Sequence, residues 1–131
     1  MKTVVFVCVH NSGRSQMAEA FFNQMVNGKA RAISAGTQPT EKVNPLVVEA
    51  MQEAGIDISH NRPKILTMEM VEKADKMITM GCGEDAAGLC PAGFIETEDW
   101  VLDDPKGKPI GEVRKIRDQI RDKVGKLIER L

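Results

Sequence analysis

Cys8 and Arg14 stand with five residues between them in the short polar stretch Cys8-Val9-His10-Asn11-Ser12-Gly13-Arg14-Ser15, a C-x5-R-S pattern. Successive backbone N–H groups in a tight loop can form a concave nest, and a helix starting behind it adds the positive end of its dipole. An oxyanion is the natural occupant. Arg14 carries a planar fork that can pair with two of its oxygens. Gly13 permits a backbone angle or a close approach that a side chain would block. Such positive surroundings favour the thiolate of Cys8, the nucleophilic form, and the Ser15 hydroxyl can donate to that sulfur. The competing reading is a small buried thiol that merely ends a strand. C-x5-R alone would not decide between them; its place between a buried strand and an amphipathic helix, with Ser after Arg, favours the anion loop.

Covalent attack by a thiolate on a tetrahedral centre needs a proton for the departing oxygen. Adjacent Asp103 and Asp104, before Pro105, could supply it, although Asp-Pro is also common turn chemistry. Cys82 and Cys90 enclose a stretch of small and acidic residues that includes Gly83 and Gly88, with Gly81 just before it. Such a segment changes shape at little steric cost. A zinc site would want four ligands at shorter spacing, and His10 and His60 do not complete one, so no metal is expected. Reactive thiols and inert ones both remain open at this point.

The elements that must hold these residues follow from periodicity. Lys2 to Val7 is an unbroken β-branched and aromatic run and reads as a buried strand. From Ser15 a helix carries Met17, Ala18, Phe21, Phe22 and Met25, until Asn27-Gly28 stops it. Ala30 to Ala35 is a second strand closed by Gly36. Asn44 caps a helix with Pro45 in its first turn and Leu46, Val47, Ala50, Met51 and Ala54 on one face, ended by Gly55. A short helix over Thr67–Lys73 precedes a third strand, Lys76–Met80, and Phe94–Glu96 reads as a short fourth. Ile110 to Leu131 is the clearest helix, with Val113, Ile116, Ile120, Val124, Leu127 and Leu131 on one face. The alternation predicts an α/β fold, a four-stranded parallel open sheet flanked by helices on both faces. Right-handed crossovers bring the loops after the strands, including Cys8 and Gly81-Cys82, to the rim where such sheets bind ligands.

With 131 residues, the chain is expected to form a single domain, residues 1–131, and a monomer. A net charge of −1 argues against nucleic acid or a membrane surface as partner. The run Val4–Val9 is too short to span a bilayer and lacks a signal-peptide cleavage pattern. Three cysteines without an export signal place the protein in the cytoplasm, where a structural disulfide framework is not expected. The charged face of the last helix reads as solvated, and there is no repeat or linker.

Val7 through Glu19 resembles the opening of low-molecular-weight tyrosine phosphatases and, more closely, of the thioredoxin-coupled arsenate reductases built on the same fold. Ser34-Ala35-Gly36, Asn44-Pro45, Gly55-Ile56-Asp57-Ile58-Ser59 and Asp103-Asp104-Pro105 continue the match along nearly the whole chain. The resemblance implies a low-molecular-weight phosphatase-like fold and an anion loop of Val9, His10, Asn11, Ser12, Gly13, Arg14 and Ser15 around arsenate. It selects Asp104, the residue before Pro, as general acid, with Asp103 behind it.

It further implies a three-cysteine relay. Cys8 forms the arsenate adduct, Cys82 attacks Cys8 as arsenite leaves, and Cys90 moves the disulfide to Cys82–Cys90 for reduction by external thioredoxin. No bound cofactor is expected. The Cys82-to-Cys90 gap is one residue longer than in the best-known members. Some members hold potassium beside the anion loop; Asn11, Glu19 and Ser34 match its ligands, but Lys64 stands in place of the acidic one, and its ammonium is expected to replace the cation. Tyrosine is absent, and Trp100 reads as core rather than as a grip on a phenyl ring. The alternatives are a phosphatase for phosphotyrosine or small phosphomonoesters, and a non-catalytic oxyanion-binding protein.

Overall fold

After Lys2, the first strand β1 (Lys2–Cys8) is buried along its whole length. Its side chains alternate: Val4, Phe6 and Cys8 enter a larger core, Val5 and Val7 a smaller one on the opposite face. A period of two demands this of a strand covered on both sides. The computed structural model describes residues 2–80 and 96–131. Within them β1 is followed by α1 (Arg14–Met25), β2 (Ala30–Gly36), α2 (Pro45–Glu53), α3 (Met68–Lys73), β3 (Lys76–Thr79), β4 (Glu96–Asp99) and α4 (Ile110–Glu129).

The strands make one parallel sheet in the order β2-β1-β3-β4. Cys8 pairs with Gly36, Val7 with Thr79 and Thr79 with Asp99, so the carboxyl ends of all of them share one rim. Helices α1, α2 and α4 cover one face through Met17, Phe21, Phe22, Val47, Met51 and Ile120; α3 and Leu66 cover the other through Val71. The expected fold, an open parallel sheet between helices, is the one observed. Local chemistry marks several ends. The Asn44 side chain accepts from Leu46 N at 2.9 Å, with Pro45 behind it, and Thr67 caps α3 by accepting from Met70 N at 3.2 Å. Among the described residues, no helix is long and apolar enough to cross a membrane.

Three boundary expectations are corrected. The described fourth strand, Glu96–Asp99, runs three residues past the end of the expected Phe94–Glu96, and residues 94 and 95 lie outside the described ones. Apolar Phe94-Ile95 drew the reading, whereas an edge strand pairs on one side only and tolerates Glu-Thr-Glu-Asp. Leu131 is 41% exposed, because α4 ends at Glu129 before the heptad-like stripe reaches it. Met25, in the last turn of α1, is 37% exposed and leans over Gly125 of α4, while Phe21 and Phe22 are buried. Trp100 is core as expected, 3% exposed with its ring 5.7 Å from that of Phe6. Its indole N–H donates to Glu98 Oε1 at 3.0 Å, and Glu98 also meets Lys76 and Arg130, each at 3.2 Å. Glu98 thereby ties β3, β4 and the end of α4 just before the chain enters the loop that carries Asp104.

Candidate active site

Cys8 is the last residue of β1 and its free thiol is buried. The loop beyond it is held by its carbonyls. Those of Cys8, Val9 and His10 accept from Thr37 N, Gln38 N and Thr40 N; that of Ser12 accepts from Asn44 N, and that of Gly13 from Met17 N in α1. The remaining one, of Asn11, accepts from the Gln16 side chain at 3.2 Å. A loop with its carbonyls committed outward turns its N–H groups inward, as an anion nest requires. Asn11 makes the turn with φ 50°, a left-handed conformation that asparagine tolerates better than most residues. Gly36 lets β2 pass beneath: a β-carbon there would stand 2.6 Å from Val9 O and 2.9 Å from Asn11 N.

Around the sulfur the donors converge. Cys8 Sγ lies 2.8 Å from Ser15 Oγ and accepts from Asn11 N at 3.2 Å. Asn11 Nδ2 donates to the same Ser15 oxygen at 2.7 Å. Toward a Cys8 thiolate, which can only accept, the Ser15 hydroxyl is the donor, and its oxygen accepts from Asn11. Arg14, 6% exposed, donates through Nη1 to Leu102 O at 3.3 Å, and its Nη2 lies 3.6 Å from Asp104 Oδ2. Its Nε is buried with no acceptor among the described residues. A buried N–H without a protein partner is a donor available to a ligand.

Two loops therefore meet. Of the two adjacent carboxylates, Asp104 turns to Arg14 while its other oxygen accepts from Lys106 N at 3.0 Å; Asp103 is exposed. Pro105 is buried against the anion loop, and a β-carbon on Gly13 would come within 2.7 Å of Pro105 Cγ. Of the two uses open to Gly13, a backbone angle or a close approach, the structure shows an approach to the loop that carries Asp104. A thiol with an oriented hydroxyl, a guanidinium with an unused donor and a half-exposed carboxylate suit a tetrahedral oxyanion that reacts at Cys8 and loses an oxygen toward Asp104.

Val9, His10 and Ser12 contribute the loop's backbone and are half-buried. Lys64 Nζ stands 3.9 Å from Glu19 Oε1, and Ser34 is fully buried. Burial raises the Glu19 carboxyl above its ordinary value, and the Lys64 ammonium and Ser34 pull it partly back. Cys82 and Cys90 lie outside the described residues. Sequence reasoning missed Gln16 and the 37–44 segment as supports of the loop. Gln16 directly follows the C-x5-R-S signal, which could have drawn attention to it; the backbone donors of 37–40 leave no residue-type signal at all.

The chain matches the family model described as low molecular weight phosphotyrosine protein phosphatase over residues 3–131. It is 38% identical over 122 residues to an arsenate reductase of Staphylococcus aureus (strain Newman), covering 92% of this chain and 91% of that protein. Its fold superposes on a thioredoxin-dependent arsenate reductase of Corynebacterium glutamicum with a TM-score of 0.83 at 34% identity. That match covers 98% of this chain and 61% of the other, which is the longer. A low molecular weight protein tyrosine phosphatase of T. tengcongensis superposes with a TM-score of 0.90 at 29% identity, covering 100% of both chains.

Proposed function

Because the chain belongs to the low molecular weight phosphotyrosine protein phosphatase family, we propose that it reduces arsenate to arsenite by a thiol relay beginning at Cys8. The observation that carries the reading is the Ser15 hydroxyl 2.8 Å from the buried Cys8 sulfur, in a loop closed by Arg14. Similarity to proteins named arsenate reductases, one of them thioredoxin-dependent, supports the substrate and the reductant.

The loop of Val9, His10, Asn11, Ser12, Gly13, Arg14 and Ser15 binds arsenate, with Arg14 pairing two oxygens. The Cys8 thiolate forms an S–As bond and an oxygen departs as water, protonated by Asp104. The Cys82 thiolate then attacks Cys8 Sγ. The S–As electron pair goes to arsenic, which leaves as arsenite, and a Cys8–Cys82 disulfide holds the oxidising equivalents. Cys90 attacks Cys82, frees Cys8 and leaves Cys82–Cys90 for thioredoxin. The thiols supply both electrons, so no bound cofactor is required. The Lys64 ammonium, 3.9 Å from Glu19, takes the place of a potassium ion beside the loop; a strong rise in activity with potassium over sodium at constant ionic strength would count against it. The protein works as a cytoplasmic monomer of one domain.

Arsenate supplied with thioredoxin, thioredoxin reductase and NADPH tests the relay. NADPH oxidation is expected in the wild type and is expected to be lost in Cys82→Ser and in Cys90→Ser. Turnover surviving either substitution would sink the relay. The second reading, a phosphatase, draws on the likeness to a tyrosine phosphatase and needs only Cys8, Arg14 and Asp104. Phosphomonoester hydrolysis without arsenate turnover would favour it, and oxyanion binding without either reaction would leave a binding protein.

A further inference from the structure

Gln16 follows Ser15 in the first turn of α1, and its side chain is wholly buried. A buried primary amide must find partners for its N–H groups and its oxygen. Gln16 Nε2 donates to Asn11 Oδ1 at 3.1 Å and to Asn11 O at 3.2 Å, and lies 3.4 Å from Arg62 O. Asn61 Nδ2 donates to Gln16 Oε1 at 3.1 Å, which sets the end of the amide that faces Asn11. Lys64 N reaches the same Asn11 Oδ1 at 2.9 Å. With that oxygen held by two donors, the Asn11 amide has one orientation, the one in which Nδ2 meets Ser15 Oγ at 2.7 Å. Toward a Cys8 thiolate, an acceptor only, the Ser15 hydroxyl held by Asn11 is the donor.

The left-handed backbone of Asn11, at φ 50°, also has to be held from outside, since its own sterics disfavour it. Gln16 holds it by taking the Asn11 carbonyl and the Asn11 side chain with a single amide nitrogen. We propose that Gln16 is a positioning residue for the nucleophile: through Asn11 it aims the Ser15 hydroxyl at the Cys8 thiolate, and through Asn61 it ties that aim to the 61–64 segment. Gln16 has no bond to the sulfur, so its effect passes entirely through Asn11 and Ser15. The inference rests on Cys8 as the nucleophile and is independent of whether the oxyanion is arsenate or a phosphate ester.

Cys82→Ser with Cys90→Ser leaves Cys8 as the sole thiol, so its alkylation by iodoacetamide at pH 7 reads the nucleophile apart from the relay. Adding Gln16→Met, similar in length but without the amide, is expected to slow alkylation about tenfold, the scale of a lost hydrogen bond to a charged group. In the three-cysteine chain, kcat on p-nitrophenyl phosphate or arsenate falls with it, while KM stays within about twofold because Arg14 and the loop still bind the anion. Unchanged alkylation with a lowered melting temperature would overturn the proposal and leave Gln16 a packing residue. If Gln16→Met does not fold, half-buried Asn61→Ala removes the bond that orients Gln16 and is expected to slow alkylation about threefold; an unchanged rate there overturns it equally. Failure of arsenate turnover in the parent would touch the relay alone, since the alkylation comparison does not use it.

Discussion

Pro105 Cγ occupies the space a side chain on Gly13 would need, 2.7 Å from where that β-carbon would stand. The loop after Cys8 and the loop that carries Asp104 come from distant parts of the chain, and this contact seats one on the other. The proline is buried and its ring is rigid, so it cannot swing aside as the end of a long side chain would. Gly13→Ala should push the Asp104 loop outward while leaving the sheet intact. The expected result is a loss of about a hundredfold in kcat/KM, as for a displacement of roughly 1 Å in a catalytic group. Steady-state kinetics beside a urea melt would check it; wild-type turnover in the alanine variant would refute the docking.

Asp103 and Asp104 are chemically identical neighbours, but only Asp104 faces Arg14. Asp104→Asn keeps the shape and removes the transferable proton, so its rate should fall by about a hundredfold or more. Asp103→Asn should stay within about twofold, as an exposed substitution away from the chemistry. Stopped-flow measurement of the first step at Cys8 would separate them. A larger loss from Asp103→Asn would reverse the assignment of the acid.

Burial by itself would raise the Glu98 carboxyl, but hydrogen bonds from Trp100, Lys76 and Arg130, with the Arg130 charge, outweigh it and hold it below its ordinary value. A carboxylate depressed in the folded state contributes stability above the ordinary carboxylate range and loses it as pH falls through the folded value. Glu98→Gln should therefore cost about 1 kcal/mol at pH 7, discounted for a partly exposed group. The difference should close in acid. Urea melts at several pH values would read it, and an equal loss at neutral and acid pH would contradict the ion-pair account.

Legibility in the sequence followed the range of the interactions. The stripe Val113, Ile116, Ile120, Val124 and Leu127 announced α4 because helix burial repeats with the helix period, and each of these side chains is buried. Strand β1 announced itself by being apolar on both faces. Strand β4 did not, since Glu96-Thr97-Glu98-Asp99 at a sheet edge is held by pairing to β3, which leaves no apolar pattern. Leu131 shows the reverse error, since the periodicity runs on past the point where α4 ends, and Met25 keeps the helix period but meets Gly125 on α4 and is left partly exposed.

By itself the sequence determined a tight loop between a strand ending near Cys8 and a helix placed from Ser15, with the Ser15 hydroxyl within reach of the sulfur. Those relations are local; strand, turn and helix propensities suffice to set them. Only the tertiary structure decided that Asp104 rather than Asp103 meets Arg14, that Gly13 makes room for Pro105, and that Gln16 and the 37–44 segment brace the loop. Each of these depends on which strand lies beside which and on how loops at one rim pack together. Such long-range pairing is a property of the assembled sheet, and neighbouring residues in the chain carry no mark of it.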